Sequence, residues 1–228
     1  MAHLVLDLET AIDERVWTPP PPREGEEPPF PPLHAHRVVS AGGLWLDEEL
    51  NVNRLDILAS GADERAILDV TTRELAARPT LVTVNGRGFD LPVLRLRCLR
   101  HGVIAPVIFD EGAPHVDLLS LAGARVRTGL DGAARICGLP GKALGDGASV
   151  DGWWRAGQQA TIDRYCLADV AQTALVFLRW QLVRGALDGE RYRNAAKSVM
   201  NVIAADARLE ELTALLDDAT RARVLDAT

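Results

Sequence analysis

The pattern of apolar and polar residues predicts three consecutive strands near the start of the chain. Side chains on a strand alternate between its two faces, and short apolar runs between turn-forming residues are typical of strands. Such runs occupy residues 3–8, 37–46 and 51–58. The second and third are joined by the turn-like Asp47-Glu48-Glu49, so we expect an antiparallel meander. Gly42 and Gly43 within the second run indicate a bulge or a close backbone approach.

After Ser60 the apolar residues recur at helical spacing. The predicted helices cover residues 63–78, 89–101, 130–137 and 161–184, and apolar runs at 80–84 and 116–121 predict two more strands. Amphipathic helical sequence continues from about residue 190 to 228, where the apolar positions fit packing either on the rest of the chain or on a second subunit. Strands followed by alternating helices and strands predict an α/β fold. We expect a mixed five-stranded sheet flanked by helices, in a single domain covering residues 1–228.

Residues 17–36 interrupt this pattern between the first two predicted strands. The segment holds eight of the thirteen prolines in the chain, together with three glutamates. Proline lacks the backbone donor that helices and central strands need, so we expect an extended, exposed loop. A tolerated loop insertion is the favoured interpretation, and a partner-binding arm is the alternative.

The composition narrows the class of protein. The chain has 228 residues, of which 47% are hydrophobic and 25% charged, as is ordinary for a soluble globular protein. It has no apolar run long enough to span a membrane, and its first residues lack a signal-peptide pattern. The three cysteines are far apart and form no Cys-x-x-Cys pair, which predicts reduced thiols in the core of a cytoplasmic protein.

The net charge of −7 argues against a basic surface that binds nucleic acid along the whole molecule. That objection is weaker if several acids surround bound cations, because the cations reverse the local sign of the charge. A cation-mediated site for nucleic acid would therefore require several acids that meet at one place.

The run Leu4-Val5-Leu6-Asp7-Leu8-Glu9-Thr10 contains the first candidates. Asp7 and Glu9 are two residues apart on a predicted strand, so their side chains lie on one face. Neighbouring like charges repel unless something positive lies between them. A solvated strand end is the alternative to a cation site.

Two further acids follow at element ends or in apolar surroundings. Asp90 comes after a glycine-containing loop, in the first turn of a predicted helix, where an acid either caps the helix or faces a site. Tyr165 and Asp169 are four residues apart in a strongly apolar predicted helix and therefore share a face. A carboxylate buried there requires an arginine or a cation, because an isolated buried charge costs several kcal/mol.

In this order the residues resemble the motifs of the DEDDy 3′–5′ exonucleases of the ribonuclease H-like superfamily. The three matching segments are Asp7-Leu8-Glu9-Thr10, Asn85-Gly86-Arg87-Gly88-Phe89-Asp90 and Tyr165-Cys166-Leu167-Ala168-Asp169. The chain is most similar to the stand-alone bacterial group related to the proofreading domain of B-family DNA polymerases, in which a Gly-Leu-Pro-Gly-Lys segment, here 138–142, lies between the second and third motifs. The resemblance covers roughly residues 3–184, without 17–36, and it implies a ribonuclease H-like fold.

The resemblance also implies a reaction and the metal ligands for it. A metal-dependent 3′–5′ exonuclease hydrolyses phosphodiester bonds with two divalent ions, for which Mg²⁺ or Mn²⁺ suits the hard carboxylate ligands. By resemblance Asp7 would bridge both ions, Glu9 and Asp169 would help to hold the ion beside the attacking water, and Asp90 would serve the second ion, mostly through water. Tyr165 would orient the attacking water, and its ordinary pKa near 10 argues against its taking the proton itself.

Residues around these acids are expected to contact the substrate. The predicted substrate-binding residues are Thr10, Asn85, Arg87 and Phe89. A core role is the favoured alternative for Phe89, and Arg95, Arg97 and Arg100 add positive charge suited to backbone phosphates, although spacing divides them among helix faces. The adjacent Trp153 and Trp154 could stack on bases, but they are left outside the predicted site, and His115 is expected to be structural.

The expected substrate is the 3′ end of nucleic acid, with single-stranded DNA favoured and RNA possible. Two other functions stay open, a catalytically silent nucleic-acid-binding module and a phosphodiesterase acting on small nucleotides. The intact set of acids counts against the silent module, and the acidic composition keeps the small-substrate alternative open. No polymerase domain follows, so proofreading within one chain is not expected, and the oligomeric state is left undetermined.

Overall fold

A five-stranded mixed sheet forms the centre of the computed structural model, which describes residues 2–20, 29–122, 129–142 and 145–227. The strands are β1 (His3–Ile12), β2 (His36–Leu46), β3 (Val52–Ser60), β4 (Thr80–Thr83) and β5 (His115–Asp117). Their order in the sheet is β3-β2-β1-β4-β5, with β1, β2 and β3 antiparallel and with β4 and β5 parallel to β1. The predicted mixed sheet and antiparallel meander are confirmed.

Helices flank this sheet and continue beyond it. They are α1 (Glu64–Ala76), α2 (Asp90–His101), α3 (Gly129–Ile136), α4 (Ser149–Arg155), α5 (Gln159–Val183), α6 (Gly189–Ala205), α7 (Glu210–Leu215) and α8 (Asp218–Leu225). Short 3₁₀ turns also occur at Leu33–Ala35, Pro106–Phe109, Leu118–Ala122 and Ala207–Leu209. The sequence pattern predicts all of these helices except α4.

The predicted strand at residues 116–121 is wrong in most of its length. The observed strand ends at Asp117, and a 3₁₀ turn begins at Leu118. The Asp117 carboxylate accepts a hydrogen bond from the Leu119 N–H, and the Ser120 hydroxyl donates to the Asp117 carbonyl. These local bonds turn the chain, because they occupy groups that a longer strand would need for its ladder.

Both faces of β1 are covered. Leu4, Leu6 and Leu8 pack in a cluster with residues of α1 and α2, whereas Val5 packs in the cluster that contains most of α5. By length and composition alone α5 could cross a membrane, with a mean hydropathy of 1.2 over an 18-residue window, but 78% of that window is buried inside the fold. A helix surrounded by the sheet and by other helices has to be apolar on nearly every side.

The glycines of β2 allow α5 to approach the sheet closely. A Cβ atom at Gly42 would lie 2.8 Å from Cys166 Sγ, and the register of β2 against β3 shifts between Ala41 and Gly42. Both features predicted for this glycine pair, a bulge and a close approach, are therefore present. Because Gly42 pairs with Asp7, the same contact brings α5 next to the acidic end of β1.

The C-terminal helices pack against the rest of the fold, where α6 contacts α5 and β3. Val199, Ile203 and Leu212 are buried in the same cluster as the residues of α5, whereas Leu215 is 40% exposed. Packing on the rest of the chain, one of the two alternatives for this segment, is thus observed. A hydrogen bond from the Tyr192 hydroxyl to the Val224 carbonyl fastens α6 to α8.

Arg97, which was expected to add positive charge for backbone phosphates, is buried in an ion-pair network. Its side chain is 1% exposed and is paired with Glu64 of α1 and with Asp13, which directly follows β1. Arg97 therefore cannot contact backbone phosphates, because both of its charged partners hold it inside the fold. Arg100 stays exposed, and Arg95 donates a hydrogen bond to the Ile108 carbonyl.

Part of the proline-rich segment lies outside the described residues, which end at 20 and resume at 29. Pro29 and Phe30 are exposed, but Leu33–Ala35 form a 3₁₀ turn, and Ala35 and His36 are buried where the chain enters β2. The predicted extended, exposed loop is therefore wrong for residues 33–36. The cysteines are free thiols, with Cys98 and Cys166 buried and Cys137 half-buried.

Candidate active site

The acidic end of β1 lies between α5 and the neighbouring strands. Asp7 and Glu9 point to the same side, and together with Cys166 of α5 they place ligand atoms within 4.8 Å of one another. Glu9 is 5% exposed, whereas Asp7 is partly exposed. The shared face predicted from their spacing is therefore directed into the molecule rather than into solvent.

The loop between β4 and α2 brings Asp90 to the same place. Since β4 runs parallel to β1, their C-terminal ends lie at one edge of the sheet. Asp90 is the first residue of α2, is 4% exposed, and lines the same cleft as Asp7 and Glu9. The first turn of α2 therefore places this carboxyl group beside the acidic end of β1.

Asp117 holds this loop in its shape. Its carboxylate accepts hydrogen bonds from the N–H groups of Asn85, at 2.8 Å, and of Arg87, at 2.9 Å. Asn85 has a φ of 67°, a left-handed conformation that asparagine tolerates better than most residues. The side chain of Asn85 is exposed at the loop, close to Asp90 in sequence.

Tyr165 and Asp169 enter the site from α5. They lie one turn apart on the helix, with 3% and 5% of their surfaces exposed. Lys142 approaches both, because its Nζ atom lies 2.9 Å from the Tyr165 hydroxyl oxygen and 3.8 Å from Asp169 Oδ2. The Trp153 ring packs edge-on against Tyr165, with 5.6 Å between the ring centroids.

The pKa values of all four carboxyl groups are raised, chiefly by burial and further by the charges of neighbouring acids. Burial, followed by the charges of neighbouring acids, holds the pKa values of Asp7 and Glu9 well above their ordinary values. Burial also raises the pKa of Asp90 to about 7 and that of Asp169 to about 6, although Lys142 opposes the shift at Asp169. Among the described residues that line the cleft, Lys142 alone carries a positive charge and does not balance four acids, so divalent cations would offset the remaining negative charge.

Oxygen donors make this cluster suitable for hard cations such as Mg²⁺ or Mn²⁺. Cys166 is close enough to be considered as a ligand, but burial and the adjacent acids raise the pKa of its thiol well above the ordinary value. Its Sγ atom instead lies 3.6 Å from the Asp7 carbonyl, as a weak donor. Asp7 and Glu9 are therefore the oxygen donors of this close group, and Asp90 and Asp169 line the same cleft as further candidate ligands.

These acids line an open cleft of about 870 Å³. Among the predicted substrate-binding residues, the cleft contains Thr10, Asn85 and Phe89. The structure does not bring Arg87 into it, because the Arg87 guanidinium donates to the His115 carbonyl and lines a separate cavity of about 370 Å³.

The amino-acid sequence of the chain matches the profile of one protein family. The family is described as a predicted 3′–5′ exonuclease related to the exonuclease domain of PolB, and its profile matches residues 28–218. The chain belongs to this family. The match includes Asp90, Tyr165 and Asp169 and begins after Asp7 and Glu9. It confirms the predicted relationship to the B-family proofreading group and makes the chain a predicted PolB-like exonuclease domain.

A solved structure has a similar fold. The family B DNA polymerase from the hyperthermophilic archaeon Pyrobaculum calidifontis matches with a TM-score of 0.55 and 19% sequence identity. The match covers 89% of this chain and 29% of the polymerase chain, so this chain spans less than a third of that protein. The likeness confirms the ribonuclease H-like fold. A comparison with curated proteins found no match.

Several residues of this exonuclease-like cleft are not predicted from the motifs. Lys142 is the last residue of the Gly-Leu-Pro-Gly-Lys segment at 138–142. This segment is the sequence signal for Lys142, but its contact with Tyr165 does not follow from the segment alone. Asp117 lies outside the cleft, two residues after His115, and holds the loop between β4 and α2. The Thr83 hydroxyl lies 2.8 Å from His115 Nε2, a contact between β4 and β5 that fits the structural role expected of this histidine. His36 and Phe30 have no motif that could have identified them.

Proposed function

We propose that the chain is a divalent-metal-dependent 3′–5′ exonuclease that acts on single-stranded DNA. The convergence of Asp7, Glu9, Asp90 and Asp169 from three separate elements carries this proposal. Their carboxyl groups are held together against their own repulsion, in a cleft large enough for nucleotides. Cations at this position, when bound, would activate a water molecule, stabilise charge on the phosphorus oxygens and assist the departing alkoxide.

Tyr165 contributes as a neutral hydroxyl in this proposal. Burial, together with the charges of Asp169, Glu9 and Asp7, raises the pKa of Tyr165 far above its ordinary value, so the group does not accept a proton as a phenolate at neutral pH. Lys142 donates to the phenolic oxygen and fixes its position. We infer that Tyr165 orients the attacking water, while the Lys142 ammonium offsets negative charge beside Asp169.

Thr10 has a hydrogen-bonding role that follows from its histidine partner. His36 Nε2 lies 3.1 Å from the Pro31 carbonyl, which only accepts hydrogen bonds, so Nε2 carries the proton. Burial lowers the pKa of His36 and favours the neutral ring, whose Nδ1 then accepts from the Thr10 hydroxyl at 2.9 Å. The Thr10 oxygen is left as an acceptor toward the cleft, suited to the 3′ hydroxyl of a terminal nucleotide.

The choice of a nucleic-acid end over a small phosphodiester rests on the size and walls of the cleft. It extends from the acids past Thr10 and Phe89 to the described ends of the proline-rich segment. A small phosphodiester would occupy only the acidic part of this space. The fold likeness to a DNA polymerase supports DNA over RNA, as does the family description.

A length ladder tests the proposal. Single-stranded DNA and RNA carrying either a 5′ or a 3′ label are incubated with Mg²⁺, with Mn²⁺ or with chelator, beside a chromogenic phosphodiester. We expect stepwise shortening of 5′-labelled DNA, immediate loss of the 3′ label, and no reaction with chelator. Asp7→Ala should abolish cleavage, whereas Asp69→Ala, which removes an acid of α1 that does not line the cleft, should retain it.

Three results would contradict the proposal in different ways. Full activity of Asp7→Ala would remove the acidic cluster from the reaction. Binding of DNA without cleavage under every condition would indicate a silent binding module. Cleavage of the chromogenic compound with intact oligonucleotides would indicate a small-molecule phosphodiesterase.

A further inference from the structure

A second cavity, of about 370 Å³, lies outside the acidic cleft and shares no described lining residue with it. It is bounded by β4, by α2 and by residues 107–114, which lead into β5. Leu75, Leu81 and Ile108 give its wall an apolar part, with 5%, 6% and 3% of their surfaces exposed. Sites for small organic ligands have volumes of roughly 300–1,000 Å³ and are mostly apolar. The cavity therefore has room for one small molecule and not for a strand of nucleic acid.

Charged side chains also line this cavity, namely Arg78, Arg87, Arg95, Asp110 and Glu111. Arg78 Nη2 lies 2.7 Å from Asp110 Oδ2, so these two charges offset each other. Arg87 Nη2 donates to the His115 carbonyl at 3.1 Å, and Arg95 Nε donates to the Ile108 carbonyl at 2.7 Å. Within the described chain, neither of these two guanidinium groups has a carboxylate partner. Arg87 and Arg95 therefore keep their positive charge and further N–H donors for a ligand.

The charges of this cavity favour an anion. Three arginines line it beside two acids, of which Asp110 is already paired and Glu111 is exposed. This local excess of positive charge contrasts with the net charge of −7 of the chain. The planar guanidinium group matches the oxygens of a phosphate group, to which it can donate two parallel hydrogen bonds. A ligand that combines a phosphate group with an apolar part therefore suits both kinds of wall.

We propose that this cavity is a binding site for a nucleoside 5′-monophosphate, with the phosphate group on Arg87 and Arg95 and the base against the apolar wall. An organic phosphate follows from the cavity itself, whereas the choice of a nucleotide rests on the proposed nuclease function, which releases nucleoside monophosphates. Arg87 belongs to the loop between β4 and α2, which leads to Asp90. The bound nucleotide thus contacts this loop from outside the acidic cleft.

Isothermal titration calorimetry in chelator measures binding to this site without cleavage. The ligands are 2′-deoxyadenosine 5′-monophosphate (dAMP), deoxyadenosine and inorganic phosphate. We expect dAMP to bind wild type at one site per chain. The other two should bind at least about 10-fold more weakly, because each lacks one of the two groups that the cavity recognises. If either of them binds as tightly as dAMP, or if wild type does not bind millimolar dAMP, the proposed site is wrong.

Two variants locate the bound dAMP. Arg95→Gln removes one charge from the cavity and should raise Kd by about 10-fold or more, the usual effect of losing a hydrogen bond to a charged group. Ala113→Trp keeps the arginines but fills the space beside them, and it should weaken binding at least as much. Arg193→Gln is the matched control, because Arg193 is an exposed arginine of α6 that does not line the cavity. Thermal unfolding of each variant shows that it is folded, and the two cavity variants change different segments, so that either one decides if the other fails to fold.

These Kd values separate the inference from the proposed function. If wild type cleaves no oligonucleotide but dAMP binds more weakly to the folded cavity variants than to Arg193→Gln, the nuclease proposal fails and the nucleotide site stands. If wild type cleaves DNA but a folded cavity variant has the same Kd as Arg193→Gln, dAMP binds elsewhere. The nucleotide site is then overturned and the nuclease proposal stands.

Discussion

At the scale of single residues, the acids of the cleft are arranged against their own electrostatic preference. Burial raises the pKa values of Asp7, Glu9, Asp90 and Asp169, and the charges of neighbouring acids add to the shift. A folded state that raises the pKa of an acid is destabilised by that acid's charge at neutral pH. Such a cost is retained where the charged groups serve a site rather than the fold.

This arrangement predicts opposite effects of Asp7→Ala on stability and on cation binding. Without cations the variant should be at least as stable as wild type, because one repelling charge is gone. A cation at about a hundred times its Kd adds about 2.7 kcal/mol to the stability of the protein that binds it. Mn²⁺ should therefore raise the wild-type Tm by about 5–10 °C and that of Asp7→Ala much less, as measured by thermal unfolding in chelator and in Mn²⁺.

Asp69→Ala serves as the control for that experiment, since its acid belongs to the surface of α1. It should respond to Mn²⁺ as wild type does. An equal Tm increase in Asp7→Ala would show that the cation binds elsewhere.

Tyr165→Phe removes the phenolic hydroxyl and tests its contribution to the reaction. The ring contact with Trp153 should persist, while the partner of Lys142 Nζ is lost. Because a small misplacement of the reacting water has a large effect on rate, we expect kcat to fall by about 10- to 100-fold with little change in KM. Steady-state kinetics on the labelled strand checks this, and an unchanged kcat would remove Tyr165 from the proposed mechanism.

At the scale of elements, the position of Lys142 depends on how its segment is fastened to α5. Gly141 donates to Gln172 Oε1 at 2.9 Å and accepts from Gln172 Nε2 at 3.0 Å. Gly141 has a φ of +70°, and a Cβ atom there would lie 2.4 Å from Asp131 Oδ1. The backbone just before Lys142 therefore has little freedom to adopt another path.

Gln172→Leu should release this segment. The two backbone groups of Gly141 would lose their partner, at a stability cost of about 1–3 kcal/mol. Activity should fall as it does in Lys142→Ala, and the double variant should be no worse than Lys142→Ala alone. Gln181→Leu is the control on the same helix, because Gln181 is also buried and its Oε1 has no hydrogen-bond partner among the described residues. Additive losses in the double variant would contradict the link between Gln172 and Lys142.

The same scale shows how far the sequence could predict this molecule. The sequence predicts that Asp7, Asp90 and Asp169 belong to one site, because each lies in one of three motifs that occur in a fixed order. Asp7 lies on β1, Asp90 begins α2 and Asp169 lies within α5. The helix α4 could not be found, since its seven residues are too few for a periodic signal and it is fixed by contacts such as Ile12 N–H to Asp151. Lys142 belongs to a recognisable segment, but its contact with Tyr165 depends on the path of the chain in three dimensions.

At the scale of the whole molecule, a buried ionic network connects parts of the chain that are distant in sequence. Arg97 of α2 pairs with Glu64 of α1 and with Asp13 after β1, and His101 lies 2.8 Å from Glu64. One continuous core also joins the sheet, α5 and α6. We propose that residues 1–228 unfold as a single cooperative unit, in which the loss of this network weakens the entire fold.

The network predicts a specific dependence of stability on pH. Burial alone would raise the pKa values of Asp13 and Glu64, but hydrogen bonds from arginine lower both below their ordinary values of 3.8 and 4.5. An acid whose pKa is lower in the folded state stabilises the protein above its unfolded pKa, and this contribution is lost as the pH falls toward the folded value. Glu64→Gln should therefore cost about 3 kcal/mol or more at pH 7, the usual effect of breaking a buried ion pair, and progressively less below about pH 4.

Thermal unfolding of wild type and Glu64→Gln between pH 3 and pH 8 measures this difference. The acids of the cleft have raised pKa values and shift stability in the opposite direction as the pH falls, but both proteins contain them, so their contribution cancels in the difference between the two Tm values. Glu211→Gln, at an exposed acid of α7, should match wild type throughout. A Tm difference that is constant over the whole pH range would mean that Glu64 acts by packing and not by its charge.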